Sequence, residues 1–162
     1  MTLQTVCHTL FVDYGYRARE IATPCKIGMS CPGNRKFAPY PQEFKAIWDT
    51  GATETTITEE LSQKLGLCAI SKVMVGGVTG SALCNTYLIA LALSNDIIIP
   101  EIEVADCMGN IGCDILIGMD VIGMGDFAIC NKDGRTTFSF RTPSIEVIDF
   151  ATAEHSLSVK NT

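Results

Sequence analysis

Clusters of basic residues are missing from this sequence, and charged residues of either sign are scarce. Asp, Glu, Lys and Arg make up only 19% of the chain, and the formal net charge is −6. Binding to the phosphates of nucleic acid requires Lys and Arg side chains close together, and anionic membrane surfaces repel an acidic protein. The composition therefore excludes a nucleic-acid-binding protein and argues against binding to a membrane surface.

Long apolar runs and a signal-like N-terminus are also missing. No window reaches the roughly 18 uninterrupted apolar residues that are needed to cross a bilayer. The apolar stretch within residues 1–12 has no basic residue before it, unlike a secretory signal. We therefore expect a cytoplasmic protein whose eight cysteines are mostly reduced thiols.

The spacing of the cysteines does not fit a zinc site. Five residues separate Cys25 from Cys31, whereas the first ligand pair of a zinc site is usually separated by about two to four. We therefore expect no metal and no cofactor. A thiol- or metal-dependent sensor stays as an alternative hypothesis, with these candidate residues: Cys7, His8, Cys25 and Cys31.

Glycines and short apolar segments dominate what the sequence does contain. There are 14 glycines, while aromatic residues make up only 7%, which favours turns and short strands over long helices. We predict a mostly β domain of about eight to ten strands. A helix is predicted over residues 58–67, capped by Thr58 and ended by Gly66, and a short second one over 119–123.

Several strands carry more detailed predictions. Pro100 should place the strand at residues 97–104 near the edge of a sheet, because proline cannot donate to both neighbours. Cys84 and Cys130 fall on strand positions and are expected to be buried. The glycine-rich segment at residues 76–80 joins two strands into a hairpin with a flexible tip.

Asp49 is a candidate catalytic carboxylate. It follows a short strand at residues 43–48 and precedes Thr50 and Gly51. Two aspartates that face each other can share one proton and activate a water molecule for hydrolysis. No other Asp in the chain is followed by Thr or Ser and then Gly. A second copy of the chain would therefore have to supply the second carboxylate, as a two-fold dimer does.

Three segments, in this order, resemble the retropepsin family of single-domain, homodimeric aspartic peptidases. Asp49-Thr50-Gly51-Ala52 is similar to the catalytic loop of the family, residues 74–80 are similar to its glycine-rich flap, and Leu116-Ile117-Gly118 is similar to the block that supports the loop. The resemblance covers about residues 21–140 and is closest in character to the bacterial relatives.

The resemblance implies a fold and a division of the chain. The expected fold is a retropepsin-like closed β-barrel, equivalent to one half of an acid protease, with one or two short helices. Residues 1–20 would form an N-terminal extension, residues 21–141 the peptidase domain, and residues 142–162 a tail that is partly mobile.

The resemblance also assigns roles to residues. Asp49 would be the catalytic carboxylate, Thr50 would join the two loops across the dimer axis, and Gly51 would let the backbone approach the substrate. The implied substrate is a polypeptide that binds as an extended strand, with apolar residues flanking the cut and with activity highest below neutral pH. The implied substrate-binding residues are Ala52, Ile57, Gly76, Gly77, Val78 and Leu116.

The sequence departs from the family at one pair of positions. Many viral members have an acidic residue directly after the Ala and an Arg directly after the supporting Gly, whereas this chain has Thr53 and Met119. Both halves of that ion pair are replaced together, which indicates a consistent substitution. The implied function is an aspartic endopeptidase, and the alternative is a catalytically silent, dimeric peptide-binding module of the same fold.

Overall fold

The computed structural model describes residues 6–30, 39–40, 42–77, 80–94, 97–109 and 112–150. Within them, no helix is long and apolar enough to cross a membrane. In chain order the elements are β1 (His8–Asp13), β2 (Ala22–Met29), β3 (Phe44–Trp48), β4 (Thr56–Thr58), α1 (Glu59–Lys64), β5 (Ser71–Gly77), β6 (Gly80–Ala92), β7 (Ile98–Met108), β8 (Ile115–Ile117), α2 (Met119–Ile122), β9 (Asp126–Lys132) and β10 (Arg135–Thr142).

Six of the strands close into a barrel. Their order is β2-β3-β8-β4-β7-β6, and β6 pairs back with β2 to complete the ring. Strand β5 lies outside the ring as the antiparallel partner of β6. The predicted mostly β fold, with a closed barrel and two short helices, is confirmed.

Aliphatic side chains fill the barrel because its strands alternate between inward and outward positions. In β8, Ile115 and Ile117 are fully buried while Leu116 between them is only half-buried, as expected for a period of two. Helix α1 packs beside β4 and begins as predicted, since the Thr58 hydroxyl accepts a hydrogen bond from Leu61 N at 3.1 Å.

A second, three-stranded sheet packs against the barrel at Trp48, the last residue of β3. Its strand order is β1-β10-β9. The Trp48 ring lies 4.9 Å from Phe138 and 5.0 Å from Phe140, centroid to centroid, and its Nε1 donates to Thr23 Oγ1 at 3.0 Å. Strand β1 belongs to the predicted N-terminal extension, yet it pairs with β10 along its whole length. The domain boundary at residue 20 stays a prediction.

One local prediction holds for part of a strand, and another is wrong. Strand β7 as a whole has two neighbours, because β4 pairs with it at Ala105 and Met108 and β6 pairs along its first part. Within the described residues the predicted segment at 97–104 pairs with β6 alone, so Pro100 lies where β7 has one neighbour, at an irregularity in the β6–β7 register. Cys84 is buried as expected, but Cys130 is exposed, because the far end of the β9–β10 hairpin extends beyond the barrel and residues 129–135 are all exposed.

The segment after β10 is held to the three-stranded sheet by charged side chains. Arg141 donates to both Asp126 and Glu146, and the Ser144 hydroxyl donates to Asp126. The hydrogen bonds from Ser144 and Arg141 hold the pKa of Asp126 below its usual value. Part of the predicted tail is therefore attached, whereas residues 151–162 lie outside the described part of the chain.

We expect Asp126→Asn to remove a pH-dependent part of the stability. Because the pKa of Asp126 is lowered in the folded state, its contribution is complete above the ordinary aspartate pKa of about 3.9. The contribution is lost as the pH falls through the lower folded-state pKa. The difference in free energy of unfolding between wild type and variant, measured with urea, should be constant above about pH 5 and vanish near about pH 2. A difference that persists in acid would contradict this assignment.

Candidate active site

Asp49 lies at the end of β3, on a turn whose backbone is anchored to β8. Its amide donates to Ile117 O at 2.9 Å, and its carbonyl accepts from Ala52 N at 3.2 Å. The carboxylate is half-buried, and its Oδ1 accepts a hydrogen bond from Gly51 N at 2.8 Å. A Cβ at Gly51 would stand 3.1 Å from that oxygen, so the glycine leaves room for the carboxylate to keep this orientation.

The loop after Asp49 is held by the start of α2. Ala52 O accepts from Met119 N at 2.8 Å, and Thr53 O accepts from Asp120 N at 3.1 Å. These are the positions at which the sequence lacks the family's ion pair, and here backbone hydrogen bonds join the two segments within one chain.

Gly118 allows those two segments to approach each other. A Cβ at Gly118 would stand 2.5 Å from the carbonyl carbon of Glu54 and 2.6 Å from its oxygen. Real side chains do not tolerate such contacts with backbone atoms. The φ of Gly118 is −93°, which any residue can adopt. Close packing against Glu54, and not backbone conformation, is therefore the reason that this position requires glycine.

Thr55, which is buried, and Asp120, which is half-buried, form a link beneath the loop that the sequence analysis did not assign to the site. Thr55 is fully buried, donates through Oγ1 to Asp120 Oδ1 at 2.8 Å, and accepts from Gly118 N at 3.2 Å. Asp120 Oδ2 also accepts from Thr55 N at 2.9 Å. The two residues are 65 positions apart, so no local pattern could have paired them, and we regard both as positioning residues.

Thr50 is exposed at the tip of the turn and has no hydrogen-bond partner within the described part of this chain. Its predicted role across a dimer axis stays a prediction.

The predicted substrate-binding residues lie in three places. Ala52 and Leu116 are half-buried, on the catalytic loop and on the adjacent strand β8. Ile57 is fully buried in the barrel core, so its side chain does not reach the surface with the others. Gly76 and Gly77 end β5, opposite Ser81 and Gly80 of β6. Val78 lies outside the described residues.

The β5–β6 hairpin and the loop after Asp49 face a common cavity. It has a volume of about 300 Å³ and is lined by Val73 and Thr86 of the hairpin and by Glu54 of the loop. The hairpin and the loop therefore lie close enough for one ligand to contact both.

The residues proposed for a thiol or metal sensor are not brought together. Cys25 is buried in the barrel, whereas Cys7 precedes the three-stranded sheet and His8 begins it; Cys31 lies outside the described residues. Burial, with added repulsion from the charges of Asp114 and Glu43, raises the pKa of Cys25 to about 12. Among the described residues, no group of three or more His, Cys, Asp or Glu is arranged to hold a metal ion.

No family model matches the sequence, and a search of curated proteins found no match. Among solved structures, a retropepsin-like aspartic protease from Rickettsia conorii is similar, with a TM-score of 0.48 and 14% identity over 85% of this chain and 96% of that one. The chain resembles retropepsin-like proteases in fold. The protease of Simian Foamy Virus (mac) has a TM-score of 0.41 and 18% identity over 62% of this chain and 92% of its own.

We expect Gly118→Ala to destabilise the protein by about 2 kcal/mol, because the added methyl group meets backbone atoms that cannot move aside alone. Gly109→Ala is the matched control, since a Cβ there meets nothing within 4 Å. Urea unfolding of both variants checks this. Equal stability of the two variants would show that the space between Gly118 and Glu54 can accommodate a methyl group without cost.

The thiol of Cys25 should be inert in the folded protein. Alkylation requires the thiolate, and both the burial and the raised pKa of Cys25 disfavour it. At about pH 8, iodoacetamide should modify the exposed Cys68 and Cys130 but reach Cys25 only after urea is added. Peptide mass spectrometry reads out each site, and modification of native Cys25 at the rate of Cys68 would contradict the expectation.

Proposed function

We propose that this protein is an aspartic endopeptidase that works as a homodimer, with Asp49 of each copy in a shared catalytic pair. The observation that carries the proposal is the position of Asp49. It is a half-buried carboxylate at a strand end, oriented by Gly51 N, on a loop that Gly118 and the Thr55–Asp120 link hold in place.

Hydrolysis by such a pair needs one protonated and one ionised carboxyl group with a water molecule between them. The ionised Asp49 takes a proton from the water, whose oxygen forms a bond to the carbonyl carbon of the peptide. The protonated Asp49 of the partner donates its proton to the carbonyl oxygen. The C–N bond then breaks as a proton passes to the leaving nitrogen, which yields a carboxylate and an amine.

A single copy supplies half of this arrangement. Asp120 holds the loop through α2, and both of its carboxylate oxygens accept hydrogen bonds from Thr55. Thr50 and Gly51 are exposed at the tip of the turn, where a second copy could approach. These features support a catalytic pair formed by the Asp49 side chains of two chains rather than by two carboxylates of one chain.

The Asp49→Asn variant should lose at least about a hundredfold in peptide cleavage, because the amide cannot accept the proton from water. Cleavage of a mixed peptide library, followed by mass spectrometry at several pH values, is the measurement. Asp13→Asn is a suitable control, since Asp13 lies in the other sheet at the end of β1. Equal cleavage by wild type and Asp49→Asn would sink the catalytic assignment and leave the silent peptide-binding module.

Mixing the two proteins tests whether the pair is shared. If each active site needs Asp49 from both copies, an equal mixture of wild type and Asp49→Asn should have, after exchange of subunits, about a quarter of the activity of the same total amount of wild type. Light scattering gives the mass under the same conditions. Half of the activity in a fully exchanged mixture would mean that each chain acts alone.

A further inference from the structure

The cavity between the β5–β6 hairpin and the catalytic loop is acidic. Glu54 on the loop, Glu103 on β7 and Asp120 on α2 all line it. Within the described part of the chain, neither Glu54 nor Glu103 forms a salt bridge. Lys72 is adjacent in sequence to the lining residue Val73, but alternation along β5 turns its side chain to the opposite face. The described residues therefore do not neutralise the negative charge of the cavity.

A buried hydroxyl group without a partner lines the same cavity. Thr86 of β6 is only 3% exposed, and its Oγ1 has no hydrogen-bond partner among the residues that the structure describes. Unsatisfied buried polar atoms are rare in folded proteins, because they lose their hydrogen bonds to water without replacement. A ligand that donates a hydrogen bond within the cavity would satisfy this oxygen.

The remaining walls are apolar. Val73 and Ala105 belong to the strands on either side of Thr86, and Thr86 pairs directly with Ala105. A ligand that suits this site has an apolar stem and a cationic end that donates hydrogen bonds. Lysine and arginine side chains have both features. The described carboxylates do not converge as a metal site, which favours an extended cation over a metal ion.

We propose that this cavity selects a lysine or arginine side chain of the peptide substrate. The inference rests on the proposed peptidase function, because Glu54 of the loop that carries Asp49 lines the cavity together with the hairpin. The basic side chain packs its stem against Val73 and Ala105, its charge faces Glu54 and Glu103, and it donates to Thr86 Oγ1. The residue belongs to a position away from the cut, since the half-buried Ala52 and Leu116 are the apolar residues beside Asp49.

The test is a ratio of cleavage rates within one protein. Peptides that differ only by Lys, Arg, Met or Gln are compared at each position on both sides of the cut. At one position, wild type should prefer the basic residues by about fivefold in kcat/KM, a size typical of a partly exposed charge pair. The Glu54→Gln/Glu103→Gln variant should bring this ratio close to one, and Glu103→Lys should lower it further.

Glu101→Gln is the matched control, because Glu101 lies two residues away on β7 but does not line the cavity. It should keep the wild-type ratio, and an equal loss of preference in this control would overturn the assignment to the cavity.

Thr86→Val separates binding from folding. It removes a hydroxyl group that has no partner in the free protein, so the variant should unfold at the same or a higher urea concentration than wild type. Its preference for basic residues should nevertheless fall. An unchanged preference would remove Thr86 from the proposed site.

Binding by the full-length Asp49→Asn protein distinguishes the two proposals. Fluorescence anisotropy with labelled Lys- and Met-containing peptides measures affinity without cleavage. Cleavage by wild type with no preference for basic residues would overturn this inference and leave the peptidase proposal standing. Preferential binding of the Lys peptide without any cleavage by wild type would support the cavity and overturn the peptidase. No preference in either assay would overturn the cavity assignment.

Discussion

The site depends on the close approach of Gly118 to the peptide of Glu54. That contact lets α2 begin directly against the loop that follows Asp49, so that Met119 and Asp120 donate to Ala52 and Thr53. A side chain at Gly118 would separate the two segments and break these hydrogen bonds together. The orientation of the Asp49 carboxylate is thus set by backbone packing on one side and by Gly51 on the other.

The barrel and the three-stranded sheet meet where this constraint is needed. Trp48 ends β3, packs among Phe138 and Phe140 of the second sheet, and donates to Thr23 of β2. The residue directly before Asp49 is therefore held by both sheets. A turn that begins from so rigid a strand end can hold a carboxylate in one place, which catalysis by positioned groups requires.

Some features of the site are formed within one chain, whereas the proposed catalytic pair would need two. The Thr55–Asp120 link and the acidic cavity are formed within a single copy, whereas the proposed catalytic pair needs a second. Replacement of the family's ion pair by Thr53 and Met119 fits this division, because the loop is held internally by backbone hydrogen bonds.

The sequence by itself determined the features that short-range chemistry controls. The cap at Thr58, the mostly β character, the hairpins and the Asp49 motif all depend on residues a few positions apart. Only the tertiary structure decided that Asp120 meets Thr55, that β7 gains β4 as a second neighbour beyond Pro100, that Ile57 is in the core and that Cys130 is exposed. Each of these depends on which distant strands become neighbours when the barrel closes, and local pattern does not encode that choice.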